Sequence, residues 1–98
     1  MDSQALTRLE RCLRNLPILS VDDMVVTETV HGPLYMAWGR DKNDNYHGMW
    51  GCRQIGRPIE FKPDTSLEMV KAVLYTDAMG MVESLFSVDL VHEGSFDA

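Results

Sequence analysis

The sequence predicts a small α+β domain with an N-terminal helix, an antiparallel meander of three to four strands and a second helix packed on the sheet. Three observations support this: an amphipathic stretch that stops at Pro17, an aromatic hairpin over residues 34–52, and a capped apolar stretch that starts near residue 65. The 98 residues are enough for one domain and leave no room for a second core. We also expect a C-terminal strand over residues 85–91 and a flexible tail over residues 94–98.

The first helix is predicted from apolar residues that recur at intervals of three and four. Asp2 or Ser3 can cap its start, and Pro17 is expected to end it because proline disfavours the helical conformation in the residue before it. The apolar stripe consists of Ala5, Leu6, Leu9, Cys12, Leu13 and Leu16. Cys12 on this stripe is therefore expected to be a core residue.

A long β-hairpin is predicted from two aromatic half-strands that flank the loop-forming residues 41–45, after a β-branched strand over residues 24–31. Four of the eight aromatic residues of the chain lie in this hairpin. A five-residue loop places Trp38 opposite Gly48 and sends Trp38 and Trp50 to one face, which we expect to be the core. The reverse face, which we expect to be exposed, carries Tyr35, His47 and Met49.

The remaining elements are predicted from turn and cap signals. Pairing is expected to break over residues 53–58, because glycine and proline disfavour a ladder interior, and residues 59–61 are expected to form a short edge strand. Thr65 and Glu68 fit a capping box that opens the second helix. Gly80 is expected to end this helix, and a longer helix that reaches Phe86 is the alternative.

The chain carries no motif for catalysis or metal binding. The stretch from Asp41 to Asn45 resembles the start of a calcium loop, but Tyr46 replaces the turn glycine and Cys52 replaces the final glutamate. His47 and Cys52 are five positions apart on one strand, so they project from opposite faces and cannot act as base and nucleophile. We therefore expect no metal, no cofactor and no enzymatic activity.

The net charge of −6 comes entirely from residues 64–98, which hold seven acidic residues and Lys71. Such a region attracts basic partners and repels nucleic acid. The absence of a long apolar run argues against a membrane span, and the N-terminal residues lack the apolar segment of a signal peptide. Two scattered cysteines indicate a reduced, cytoplasmic setting.

These patterns predict a non-enzymatic protein-binding module, such as a small acidic inhibitor or an immunity-type protein of toxin immunity or phage counter-defence. Its partner would be a protein with a basic surface. The candidate partner-binding residues are Tyr35, His47, Met49, Asp41, Asp44, Asp77, Glu83 and Asp89.

Two alternatives remain open at this point. One is a small-ligand-binding domain or small enzyme with a pocket between the sheet and the second helix, in which His47, Tyr35 and Arg53 make polar contacts. The other is a homodimeric chaperone. In element order and acidity alone the chain resembles the small acidic chaperones of type III secretion, and this resemblance implies a dimer with a hydrophobic groove.

Overall fold

A computed structural model describes the backbone of residues 3–97 and the side chains of residue 7 and residues 9–86. In chain order the elements are α1 (Ser3–Arg14), β1 (Ser20–Thr29), β2 (Gly32–Arg40), β3 (Tyr46–Cys52), β4 (Ile55–Glu60) and α2 (Leu67–Asp97). The four strands form one antiparallel sheet in the order β1-β2-β3-β4. The predicted α+β class, with its first helix, its meander and its second helix on the sheet, is confirmed.

The two helices pack on opposite faces of the sheet. On one face Val70 and Leu74 of α2 join the core that contains Trp38 and Trp50. On the other face α1 packs mainly against β3 and β4, with Leu9 fully buried on the hairpin. This burial agrees with the apolar stripe predicted for α1, although the side chains of Ala5 and Leu6 lie outside the described residues. The sheet is thus the middle layer of three.

The β2–β3 hairpin has the predicted register. Arg40 pairs with Tyr46 and Trp38 pairs with Gly48, so the loop has five residues. Gly48 lets α2 approach closely, because a Cβ at this position would lie 2.9 Å from Cδ1 of Leu74. Both tryptophans are buried, as the alternation of the strands predicts.

The break predicted over residues 53–58 is wrong. β4 begins at Ile55 and pairs with β3 along its whole length, including Gly56 and Pro58. Proline is tolerated in an edge strand because its missing N–H can face away from the neighbour. A two-residue turn makes the connection possible, and Arg53 within it has φ 57°.

The strand predicted over residues 85–91 is also wrong, since α2 runs without interruption to Asp97. Gly80 lies in the interior of this helix, and the alternative of a longer helix is confirmed and extended. The helix is capped by Ser66 and not by the predicted Thr65: the Met69 N–H donates to Oγ of Ser66 at 3.2 Å. The flexibility of residues 94–98 stays a prediction.

In the described part of the chain, neither helix is both long enough and apolar enough to cross a membrane.

Candidate interaction surface at the open sheet edge

The reverse face of the hairpin is buried, which corrects the exposure predicted for Tyr35, His47 and Met49. Their exposed fractions are 4%, 6% and 0%. The reason is that α1 is amphipathic and needs an apolar surface, and the hairpin face that carries Tyr35 and Met49 receives it. Tyr35 and Met49 cannot reach a partner while α1 is docked, and His47 is buried with its ring against Asp41.

Asp41 organises the hairpin loop. Its Oδ1 accepts the backbone N–H groups of Asn43 and Asn45 at 2.8 Å and 3.0 Å, and its Oδ2 lies 2.8 Å from Nε2 of His47. The hydrogen bond to His47, followed by the one from the Asn45 backbone, lowers the pKa of Asp41 below its usual range. Asp44, by contrast, is an exposed turn residue with φ 67° whose carboxylate lies 3.5 Å from Arg40. Of the two predicted loop acids, only Asp44 points its charge toward solvent.

Asp77 is committed to contacts within the protein. Its Oδ2 accepts Nε1–H of the buried Trp50 at 2.8 Å and Nε–H of Arg57 at 2.7 Å, and Nη2 of Arg57 contacts Oδ1. Burial raises the pKa of Asp77, but the hydrogen bonds from Arg57 and Trp50 outweigh this effect and the pKa lies below its usual value. Asp77 therefore fastens α2 to β3 and β4, and its charge is already compensated.

The pocket expected between the sheet and α2 does not have the polar lining that sequence reasoning assigned to it. Tyr35 and His47 lie on the α1 side of the sheet, and Arg53 stacks its guanidinium 4.2 Å from the centre of the Phe86 ring. His47 and Cys52 lie on opposite faces, as predicted. Among the described residues, no group of three or more His, Cys, Asp or Glu side chains is arranged to hold a metal ion.

Among the described residues, β1 carries a row of exposed apolar side chains. Within the described chain this ten-residue strand pairs on one side only, with β2. The exposed fractions of Val21, Met24 and Val26 are 43%, 41% and 54%. All three lie on the α1 side of the sheet, because an irregularity at Asp22 brings Val21 onto the face of Met24 and Val26. β1 therefore presents an apolar stripe beside a sheet edge.

The charges of β1 are all negative. The strand carries Asp22, Asp23 and Glu28 and no basic residue. Nε of Arg40 on β2 lies 3.2 Å from Asp22 and compensates it. Asp23 and Glu28 are exposed.

A groove lies between the end of β1 and α2, on the opposite face of the sheet from the apolar stripe. It has a volume of about 600 Å³ and is lined by Glu28, Thr29, Val30, Tyr75, Met79 and Glu83. The exposed fractions of Val30 and Tyr75 are 93% and 44%. We call β1 together with this groove the open edge surface. It combines exposed apolar side chains with carboxylates.

Of the predicted partner-binding acids, Glu83 lies on the open edge surface. The side chain of Asp89 falls outside the described residues. Met24, Val26 and Glu28 were not predicted as partner-binding residues. The sequence does contain a sign that their strand lies at a sheet edge, because neither face of the β-branched run over residues 24–31 is cleanly apolar. A strand with two mixed faces is typical of a sheet edge.

No protein-family model matches this chain, and neither the curated proteins nor the solved structures provide a match.

Proposed function

We propose that the protein is a non-enzymatic binding module that recognises a basic protein surface through the open edge surface. In this role it occupies and blocks that surface, as a small acidic inhibitor or immunity-type protein does. One observation carries the proposal: exposed apolar side chains and uncompensated carboxylates occur together on β1 and on the groove beside it.

The apolar part of this surface supplies the binding energy. Val30 and Tyr75 are exposed in the groove, and Val26 is exposed on the α1 face of β1. Exposed apolar patches mark interaction sites. Aromatic residues in particular anchor interfaces, since they bury a large area with few rotatable bonds. Tyr75 in the wall of the groove has this character.

The acidic part of the surface selects the partner. Arg57 partly compensates the charge of Asp77, and the carboxylate of Asp41 accepts hydrogen bonds within its own loop. Glu28 and Glu83 line the groove. Complementary charges at an interface raise the association rate and exclude partners of like charge, so a lysine- or arginine-rich surface is favoured.

The test compares two pairs of charge-neutralising substitutions. The variant with Glu28→Gln and Glu83→Gln removes both groove carboxylates, and the control with Glu10→Gln and Glu60→Gln makes the same change of net charge on exposed residues elsewhere. A protein partner is captured from native extract, purified, and titrated against both variants over a range of salt concentrations.

We expect the groove variant to bind that partner about tenfold more weakly, a loss on the order of 1.4 kcal/mol, with a shallower salt dependence. The control is expected to bind as the wild type does. Equal affinities and equal salt slopes for the two variants would overturn the proposal.

A further inference from the structure

We infer that the partner binds by adding an extended segment to β1, as one more strand of the sheet. This inference rests on the proposed function and specifies its geometry. Strand addition uses the backbone hydrogen-bonding groups of an exposed sheet edge for affinity, and the flanking side chains for selection.

The positions of the outward backbone groups follow from the turn that ends β1. A two-residue turn, Val30 and His31, joins Thr29 to Gly32, and the pair that closes such a turn is hydrogen-bonded. Hydrogen-bonded and non-hydrogen-bonded pairs alternate along an antiparallel ladder. The N–H and C=O groups of Val26 and Glu28 therefore point away from β2.

Two independent observations agree with this assignment of the backbone groups of β1 that point away from β2. Pro33 has no N–H and stands opposite Glu28, where the ladder requires no donor. The Met24 N–H donates to Oδ1 of Asp23 at 2.8 Å, which places it outside the β1–β2 ladder. Asp23 thus covers the edge at Met24.

The two edges of the sheet differ in how well they are protected against strand addition. β4 has six residues and contains Gly56 and Pro58, which weaken further pairing. β1 has ten residues and no proline, and Met24 and Val26 lie exposed beside its outward groups. Among the described strands, β1 is the edge that can accept another strand.

Charge complementarity identifies the occupant as a basic segment of another protein. Asp23 and Glu28 are exposed on opposite faces of β1, so lysine or arginine on either side of an added strand meets a carboxylate. A second copy of β1 would instead bring acidic residues against acidic residues, because the strand has no base. Opposed like charges destabilise cross-strand pairs. The surface therefore favours a different, basic chain.

The test uses a substitution that removes one outward donor and preserves the ladder. Val26→Pro deletes an N–H that points to solvent and keeps a conformation that an edge strand tolerates. Val26→Thr is the matched control, since it keeps the N–H and the β-branched shape. The probe is a capped peptide in which lysine alternates with valine, and binding is measured by calorimetry after circular dichroism has shown that each variant is folded.

We expect Val26→Thr to bind the peptide within about twofold of wild type and Val26→Pro to bind it at least tenfold more weakly, a change on the order of 1.4 kcal/mol or more. A second peptide keeps the test independent of the variant's folding. It has the same charge but proline in place of valine, so it lacks the alternate N–H groups of a strand. Wild-type protein is expected to bind this peptide at least tenfold more weakly as well.

Strand addition is overturned if folded Val26→Pro binds the lysine–valine peptide as the wild type does, if both peptides bind wild type equally, or if neither binds. The proposed function fails on a different result, namely equal partner binding by the two glutamine double variants. The two failures are therefore distinguishable.

Discussion

At the scale of single residues, Asp77 shows how an acid that is attractive as a partner contact can be needed for the fold. Trp50 is fully buried and its indole N–H requires an acceptor, which Asp77 provides. Arg57 then compensates the charge that the carboxylate brings into the interface between α2 and the sheet. The sequence alone identifies Asp77 only as an acidic residue on a helix. Its contacts could not be predicted, because Arg57 and Trp50 lie 20 and 27 positions away in the chain.

We predict that Asp77→Asn lowers the free energy of unfolding by about 1–3 kcal/mol, because it leaves Arg57 without its carboxylate and weakens the acceptor of Trp50. Urea denaturation measures the change. Glu60→Gln is the control, since Glu60 is exposed and its substitution is expected to stay within about 0.5 kcal/mol of wild type. Equal effects of the two substitutions would show that Asp77 is not a structural contact.

The same carboxyl makes stability depend on pH. The pKa of Asp77 lies below the ordinary value of 3.8, so folding is favoured by its ionised form. Its contribution is complete above the ordinary pKa and is lost as the pH falls through the lower pKa of the folded state. The acid limb of the stability profile, measured from urea midpoints below about pH 5, is therefore expected to be shallower in Asp77→Asn than in wild type. An unchanged acid limb would contradict this assignment.

At the scale of elements, local patterns predicted the hairpin well and the ends of elements less well. The β2–β3 register follows from strict strand alternation and loop length, and it is correct at both tryptophans. The start of β4 and the end of α2 were predicted wrongly because Gly56, Pro58 and Gly80 usually interrupt strands or helices. Packing overrides them: an edge position accommodates Pro58, and α2 continues through Gly80.

Two glycine substitutions test this packing. A methyl group added at Gly80 meets no described atom within 4 Å, so Gly80→Ala is expected to raise the free energy of unfolding by about 0.5–1 kcal/mol. A methyl group added at Gly48 would lie 2.9 Å from Cδ1 of Leu74, so Gly48→Ala is expected to lower the free energy of unfolding by about 1–3 kcal/mol. Thermal and urea unfolding measure both. A destabilising Gly80→Ala would mean that the helix ends near this residue.

At the scale of the whole molecule, the position of α1 decides which surface remains available. α1 covers Tyr35 and Met49, and His47 on the same face of the sheet is buried as well, although all three were predicted to be exposed. No local pattern specifies on which side of the sheet a helix docks, so this part of the site was beyond prediction. β1 keeps its exposed apolar stripe because it is the first strand of the sheet order. Among the predicted acids whose side chains the structure describes, Glu83 lies on this surface.

Hydrogen exchange of the β1 amides shows directly whether β1 accepts an added strand. In the free protein, the amides of Val25 and Thr27 are expected to exchange slowly because they belong to the ladder with β2, and those of Val26 and Glu28 to exchange quickly. On addition of the lysine–valine peptide, Val26 and Glu28 are expected to slow by at least tenfold, while the amides of β4 keep their rates. Unchanged exchange at Val26 and Glu28 in the peptide-saturated protein would show that β1 does not bind the peptide as an added strand.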